Sequence, residues 1–370
     1  MFCTLPYTLR NNNFSDDPVF RFHLTMIPTK LLAISSLVLC TRIRSFTLAK
    51  KSAFKLSASM AHSVIDDAFI ALCQVHVTSD KQKNIAHVEE VITSAVEKAP
   101  KSISVLVLPE IWNSPYAASS FSTYAEFIPN EGELPSEELS PSIAKLSELA
   151  KKLNIWIIGG SIPEYVDVVE TVNEPKRASK RNIYNTCVVV NPEGSIVAKH
   201  RKLHLFDIDI PGKMTFRESD SLTGGSSVTV IDSPWGKIGV GICYDIRFPE
   251  LAILMRQRGC RLLVYPGAFN LVTGPAHWEL LQRGRAVDNQ LFVAACSPAR
   301  DTTAGYVAWG HSTVVSPWGD VLAKAGEHEE VVYADLDFRK VTEMRQNIPV
   351  SHQKRLDLYE LVDAKSRIIE

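Results

Sequence analysis

The fold of this chain is decided at residues 237–250, KIGVGICYDIRFPE, where an apolar strand runs into a cysteine, a polar turn and the start of a helix. Proline suits the first turn of a helix, so the helix is predicted to begin at Pro249. Cys243 therefore stands at a strand-to-helix corner, where backbone N–H groups converge and a helix N-terminus favours a thiolate. Such a corner suits a nucleophile, although a lone cysteine after a strand is also a common small core residue.

The composition is that of an ordinary globular chain with an unusual beginning. Its 370 residues are 45% hydrophobic and 22% charged, enough for one large domain. The chain has 40 basic and 41 acidic residues. Eight basic and two acidic residues lie in residues 1–60, so residues 61–370 carry 32 basic and 39 acidic residues. The main body is therefore mildly acidic, which argues against a nucleic-acid partner.

Residues 1–60 have the composition of a targeting segment, because they lack periodicity, are rich in Ser, Thr and Arg, and are poor in acids. Their apolar run, residues 31–40, is shorter than the ~20 residues that span a bilayer, so no membrane partner is expected. We predict a disordered transit peptide over 1–60, addressed to the chloroplast, with the mitochondrion as the alternative. A start at Met60 would instead give a cytosolic form.

Residues 61–370 are predicted to form a single α/β domain with a C-terminal tail over 349–370. Strand-like and helix-like segments alternate from Asp67 without a linker, and this pattern is typical of a layered α/β sheet. Helices are predicted over 80–98, 141–153, 249–258, 277–289 and 338–346, and strands over 68–75, 104–110, 155–160, 185–191, 195–199, 227–231, 238–242, 262–266, 291–295, 310–315 and 330–335. The turn Pro192-Glu-Gly194 indicates a hairpin.

One segment breaks this rhythm. Residues 165–181 are charged, contain a proline and show no apolar period, so we predict an exposed loop there.

Neither a disulfide framework nor a metal site is predicted. The seven cysteines are scattered without paired spacing. His200 and His204 are four residues apart, but no acidic residue lies between them and no third ligand is near.

Two further segments place chemically useful side chains near a sheet edge. Glu110 ends the apolar strand LVLPE, and a carboxylate there could take the proton of an attacking thiol, although a solvated loop glutamate would look the same. The basic run KHRKLHLFD over 199–207 could stabilise an oxyanion, or it could be a solvated face. A Glu, a Lys and a Cys at three strand ends form a set suited to amide hydrolysis.

These segments resemble the three motifs of the nitrilase superfamily, LVLPE, HRKLHLFD and GICYDIRFPE, in the family's order. The resemblance covers about residues 67–355 and implies an α-β-β-α sandwich with a Glu-Lys-Cys triad. It implies Glu110 as general base, Cys243 as nucleophile, Lys202 as the ammonium that stabilises the tetrahedral intermediate, and the Tyr244 backbone N–H as an oxyanion donor. Glu218 would take an auxiliary catalytic role, and no cofactor would be needed.

Within the superfamily, residues 204–219 and 274–283 most resemble the ω-amidases, which hydrolyse the terminal amides of 2-oxoglutaramate and 2-oxosuccinamate. The substrate would then be a small anion. Arg247 is a candidate for binding its carboxylate, while an ion pair with Glu250 or Asp245 is the alternative role.

Other functions are also compatible with the sequence. A deaminated-glutathione amidase, an N-carbamoyl amidase or a nitrilase would share the triad and differ in the pocket-lining loops 206–218 and 269–273. A non-catalytic interaction protein on the same scaffold would be expected to lack one triad member, and all three are present. The resemblance also implies a homodimer or larger homo-oligomer.

Overall fold

The computed structural model describes residues 64–169, 179–212 and 214–365. The proposed transit peptide lies outside these ranges, as does the centre of the predicted loop, residues 170–178. The helices are α1 (Lys81–Lys98), α2 (Phe121–Tyr124), α3 (Pro141–Leu153), α4 (Pro249–Gln257), α5 (Gly274–Asn289) and α6 (Arg339–Asn347). The strands are β1 (Asp67–Gln74), β2 (Val105–Val107), β3 (Trp156–Ile158), β4 (Ile162–Val169), β5 (Ser179–Val190), β6 (Ile196–Arg201), β7 (Asp207–Ile210), β8 (Met214–Arg217), β9 (Thr229–Ser233), β10 (Gly236–Val240), β11 (Cys260–Pro266), β12 (Phe292–Cys296), β13 (Thr313–Val315), β14 (Val321–Lys324) and β15 (Glu330–Asp337).

Two mixed sheets form the centre of the structure. The first has the order β15-β1-β2-β3-β5-β4, with β6 paired to β5, and the second has the order β14-β13-β12-β11-β10-β9. β1, β2 and β3 run parallel, and so do β10, β11 and β12, while the outer strands are antiparallel. Parallel strands bring their carboxyl ends to one edge, and the candidate site lies at that edge.

The strand sequences show why the sheets are buried on both faces. In β1, Ile70 and Leu72 belong to the core between the two sheets, whereas Phe69, Ala71 and Cys73 face α1 and α3. Successive side chains point to opposite faces, so a strand buried on both faces is apolar throughout. On the second sheet, α4 and α5 pack against β11 and β12. The layers are therefore helix, sheet, sheet and helix, which confirms the predicted α-β-β-α sandwich.

The predicted helices agree with the structure to within a few residues. Asp80 caps α1 by accepting a hydrogen bond from the Lys83 N–H at 3.1 Å, and α4 begins at Pro249 as predicted. The β5–β6 hairpin is also present. The sequence pattern did not predict α2 or strands β4, β7, β8 and β14, and the predicted pocket loop 206–218 contains the short β7–β8 hairpin.

The prediction of an exposed loop over 165–181 is wrong for its described ends. β4 and β5 pair antiparallel from Ile162 opposite Thr186 to Val169 opposite Ser179. The cause is cross-strand pairing of charged residues, which leaves no apolar period in the sequence. Arg181 Nε donates to Asp167 Oδ1 at 2.8 Å, and the Arg181 guanidinium lies 4.1 Å from the centre of the Tyr165 ring.

The described part of the C-terminal tail contacts α4 of its own chain. Gln257 Nε2 donates to the Leu361 carbonyl at 3.3 Å, and Arg258 forms an ion pair with Asp363. In residues 64–365, as far as they are described, no helix is long and apolar enough to cross a membrane. The cysteines in the same ranges are all buried free thiols.

Candidate active site

Four side chains from distant parts of the chain meet at the carboxyl edge of the sheets. Glu110 lies three residues beyond β2, Cys243 three residues beyond β10, and Lys202 directly after β6. Glu218 begins a short 3₁₀ helix after β8. Glu110, Lys202 and Glu218 are completely buried, and Cys243 is 4% exposed.

Lys202 joins the two carboxylates of this cluster. Its ammonium donates to Glu110 Oε1 at 2.9 Å and lies 2.9 Å from both carboxylate oxygens of Glu218. Burial alone would lower the pKa of Lys202, but the two carboxylates outweigh burial and raise it above the ordinary lysine value. Lys202 therefore remains a buried ammonium, positioned to stabilise negative charge beside Cys243.

Glu110 is held by a fixed set of donors. Oε1 also accepts from Asn185 Nδ2 at 2.9 Å and lies 3.3 Å from the Tyr116 hydroxyl oxygen, and Oε2 accepts from the Ala268 N–H at 2.9 Å. Burial raises the pKa of Glu110 above 4.5 even though Lys202 opposes the shift. Raising a carboxylate's pKa makes it a better proton acceptor.

Tyr116 connects the two carboxylates. Its hydroxyl donates to Glu218 Oε1 at 2.8 Å, and burial, together with both carboxylates, raises its pKa well above 10. Tyr116 therefore stays a protonated donor. The Phe206 N–H donates to Glu218 Oε2 at 2.7 Å, which fixes the other end of that carboxylate.

Cys243 has a backbone conformation that non-glycine residues seldom adopt. Its φ is +45°, in the left-handed region, at the start of a 3₁₀ turn over Cys243–Arg247. Gly267 makes room for this corner, because a Cβ at that position would lie 3.1 Å from the Cys243 Cα. Burial, followed by the charge of Glu110, raises the pKa of the Cys243 thiol well above 9.0. The resting group is therefore a thiol that interacts with Glu110, and the helix terminus does not turn it into a thiolate.

The predicted oxyanion donor has suitable surroundings. Within the described ranges, the Tyr244 N–H donates to no protein acceptor. The first N–H groups of a helical turn have no partner inside that turn, so they can donate to a ligand. The Tyr244 N–H and the Lys202 ammonium are thus two candidate donors beside Cys243.

Asp245 supports this corner, a role that the sequence did not reveal. It accepts from the Ile242 N–H at 2.9 Å, and contacts His200 Nε2 at 3.0 Å and His204 Nδ1 at 2.8 Å. Burial alone would raise the pKa of Asp245, but its histidine partners hold it well below the ordinary value. The two histidines considered above as metal ligands are thus both bonded to one carboxylate. In the ranges that the structure describes, no group of His, Cys, Asp or Glu is arranged to hold a metal ion.

Arg247 forms neither of the ion pairs considered from the sequence. Its guanidinium lies 4.8 Å from the centre of the Phe269 ring and 5.6 Å from that of Tyr244, and Nη1 is 3.3 Å from His277 Nδ1. Among the described residues, no carboxylate pairs with it. It is half-buried.

The sequence reading missed three groups that hold Glu110: Asn185, Tyr116 and the Ala268 N–H. Asn185 lies in the middle of β5, between polar residues and an apolar run, and Tyr116 lies in an irregular segment, so spacing gives no signal for either. Asn185 comes close to Glu110 only because β5 pairs with β3 in the same sheet.

Comparison with known proteins identifies the family of this chain. The carbon-nitrogen hydrolase family model matches residues 69–346. The bovine protein "Omega-amidase NIT2" is 54% identical over 297 residues, which cover 80% of this chain and 98% of the relative. The Arabidopsis thaliana protein "Omega-amidase, chloroplastic" is 53% identical over 296 residues, covering 80% of this chain and 74% of the relative.

Solved structures show the same relationship. Nit3 from Saccharomyces cerevisiae, a member of branch 10 of the nitrilase superfamily, is 41% identical with a TM-score of 0.67 and covers 79% of this chain and 98% of its own. The C. elegans NitFhit protein is 33% identical with a TM-score of 0.65, covering 80% of this chain and 67% of that protein. This chain belongs to the carbon-nitrogen hydrolase family, within the nitrilase superfamily.

Proposed function

We propose that this protein is an ω-amidase that hydrolyses the terminal amide of 2-oxoglutaramate and 2-oxosuccinamate to 2-oxoglutarate or oxaloacetate and ammonia. The observation that carries the proposal is the buried Glu110–Lys202–Glu218 network beside Cys243. Relatives named omega-amidase, with 49–54% identity over most of the chain, supply the substrate class. The reaction needs no cofactor.

In the first half-reaction, the Cys243 sulfur attacks the amide carbon while Glu110 takes the thiol proton. The carbonyl oxygen becomes an oxyanion, which Lys202 and the Tyr244 N–H stabilise. Glu110 then passes the proton to the amide nitrogen, the C–N bond breaks, and ammonia leaves. The product is a thioester on Cys243.

In the second half-reaction, Glu110 takes a proton from water as the water oxygen attacks the thioester carbon. The C–S bond then breaks, and the proton returns to the sulfur. Glu218 takes no proton in this scheme. It accepts hydrogen bonds from the Lys202 ammonium and the Tyr116 hydroxyl, so its auxiliary role is to position the charged groups.

Arg247 would bind the α-keto carboxylate of the substrate. Replacing it with Met should raise KM for 2-oxoglutaramate about 10- to 100-fold, since a hydrogen bond to a charged group contributes about 1.5–3 kcal/mol. The KM for an uncharged amide of similar length should change little. Steady-state kinetics on both compounds would check this, with the exposed Arg283→Met as control. An equal rise for both amides would contradict the assignment.

The pKa of Glu110 predicts the acid limb of the pH profile. Glu110 must be a carboxylate to accept the thiol proton, and burial raises its pKa, so kcat/KM should fall as the pH drops through a midpoint above 4.5. Deprotonation of Lys202 should cause no loss of activity near neutral pH, because the pKa of Lys202 is raised. Glu218→Gln removes a charge that raises the pKa of Glu110, so its acid limb should move to lower pH. An acid limb unmoved in that variant would argue against Glu110 as the base.

Asp245 is expected to act by positioning. Asp245→Asn should lower the free energy of unfolding by about 1–3 kcal/mol, because it weakens a buried hydrogen-bonded cluster. It should lower kcat, since Asp245 holds the Ile242 N–H directly before Cys243, and any rise in KM would report the shift of Arg247 in the same turn. Urea unfolding and steady-state kinetics would measure both effects. The exposed Asp232→Asn is the control, and wild-type behaviour of Asp245→Asn in both assays would refute the role.

The proposed activity is tested by ammonia release from a panel of substrates, using the full chain. The panel holds 2-oxoglutaramate, deaminated glutathione, a carbamoyl amine and an aliphatic nitrile. We expect cysteine-dependent release from 2-oxoglutaramate at a kcat/KM far above the others. A preference for another compound would place the protein in a sister branch of the superfamily, and silence on all four would favour an interaction protein.

The cellular setting is also part of the proposal. The chloroplastic relative from Arabidopsis supports import into the chloroplast, with residues 1–60 as the transit peptide and residues 61–370 as the mature domain with its tail. A homo-oligomer remains a prediction from the family resemblance.

A further inference from the structure

A cavity of about 450 Å³ adjoins the catalytic cluster on the side of Glu110. Its walls come from the segments that follow β1, β2, β11 and β12. The structure describes all four catalytic side chains, and among them only Glu110 lines the cavity. Its inner end has the fully buried Glu110 and the 1% exposed Ala268, and its outer end has the exposed His76, Thr303 and Gly305. The cavity therefore leads from the protein surface to the catalytic base.

We propose that this cavity is the passage by which hydrolytic water reaches Glu110 and the Cys243 thioester, and by which ammonia leaves. The proposal rests on the function proposed above. Small neutral molecules would pass through the cavity, and the anionic substrate would not.

The charges of the lining carry the first part of the argument. The structure describes every residue that lines the cavity. The basic and acidic side chains among them are His76, Glu110 and Asp301, and there is no lysine or arginine. A keto-acid anion would meet two carboxylates and no dedicated cation there. Arg247, the cation assigned to that anion, lies beside Tyr244 and Phe269 and does not line the cavity.

The geometry of Glu110 carries the second part. During acylation, Glu110 gives a proton to the leaving nitrogen, and during deacylation it takes one from water at the position that ammonia has left. Both small molecules must therefore be next to Glu110 while the acyl group is still attached to Cys243. The cavity meets Glu110 directly, and its volume holds several waters, each of which occupies about 30 Å³ in the liquid.

Two stacked aromatic rings lie at the inner end. The Tyr116 and Tyr306 ring centres are 4.5 Å apart, and both side chains line the cavity. The Tyr116 hydroxyl donates to Glu218 Oε1 at 2.8 Å, and the Tyr306 hydroxyl donates to the Ala268 carbonyl at 2.5 Å. At the outer end, His76 Nε2 lies 3.4 Å from Asp301 Oδ2, so a carboxylate is placed where departing ammonia would become an ammonium ion.

Filling the cavity tests the proposal. Ala304 lines it and is half-buried, so Ala304→Trp places a large ring inside, whereas Thr302 is exposed on the same segment and does not line it. Thr302→Trp is thus the matched control. The thioester would be preformed on each full-length variant with the methyl ester analogue of 2-oxoglutaramate, and its decay followed by quenching and mass spectrometry. Preforming the thioester removes substrate entry and acylation from the measured step.

We expect the thioester of Ala304→Trp to decay at least about tenfold more slowly than wild type, and that of Thr302→Trp to decay at the wild-type rate. Equal decay in all three proteins would overturn the proposal. If Ala304→Trp does not fold, Ala308→Leu, which adds bulk at another buried lining position, takes its place. A wild-type protein that forms no thioester would instead refute the proposed function, so the two failures are distinguishable.

Discussion

Replacing Cys243 with Ala should abolish amide hydrolysis while leaving the protein folded. Loss of a catalytic nucleophile lowers kcat by on the order of 10⁶-fold in a comparable triad enzyme. The fold should survive because alanine adopts the same backbone region as cysteine and only one buried sulfur is lost, a change of about 1 kcal/mol. Ammonia release and urea unfolding would measure the two effects side by side.

Cys187→Ala is the matched control for this prediction. Cys187 is also a fully buried thiol, but it lies in β5 within the core between the sheets. That variant should lose some stability and keep its turnover. Hydrolysis by Cys243→Ala at a rate near wild type would exclude the thioester route.

Replacing Lys202 with Met should damage both activity and stability. The change leaves Glu110 and Glu218 buried without the cation that joins them, and breaking a buried ion pair in this way costs about 3–5 kcal/mol. Turnover should fall at least about 10³-fold, because an oxyanion donor is lost as well. Denaturant unfolding and ammonia release would record these losses, with the exposed Lys151→Met as control.

A triple variant separates the two effects of Lys202. Adding Glu110→Gln and Glu218→Gln to Lys202→Met removes the uncompensated charges, so stability should recover by several kcal/mol while activity stays absent. If Lys202→Met were as stable as wild type, the central place of this ammonium in the network would be wrong.

The sandwich could be predicted from the sequence because its pattern is local. Doubly buried strands such as β1 and β11 are continuous apolar runs, and α1, α3, α4 and α5 have a capping side chain or a proline in the first turn. β4 could not be predicted in this way because its cross-strand pair, Asp167 with Arg181, joins residues that are 14 positions apart in the sequence.

The principal catalytic candidates could be predicted because each follows a recognisable motif at a strand end. Their support could not, because it depends on contacts between distant segments. Asn185 meets Glu110 across 75 residues of sequence, and Asp245 meets His200 across 45. The thiol's pKa also depends on burial by the assembled fold, which a helix-terminus argument alone does not include.

In the proposed reaction, the amide carbon of a keto-acid ω-amide becomes attached to Cys243. This attachment is tested most directly by rapid acid quenching of the full-length protein during turnover of 2-oxoglutaramate, followed by peptide mass spectrometry. We expect a 2-oxoglutaryl adduct on the peptide that contains Cys243, formed before 2-oxoglutarate accumulates and absent from Cys243→Ala. Release of 2-oxoglutarate and ammonia with no adduct on Cys243, or an adduct on another residue, would contradict it.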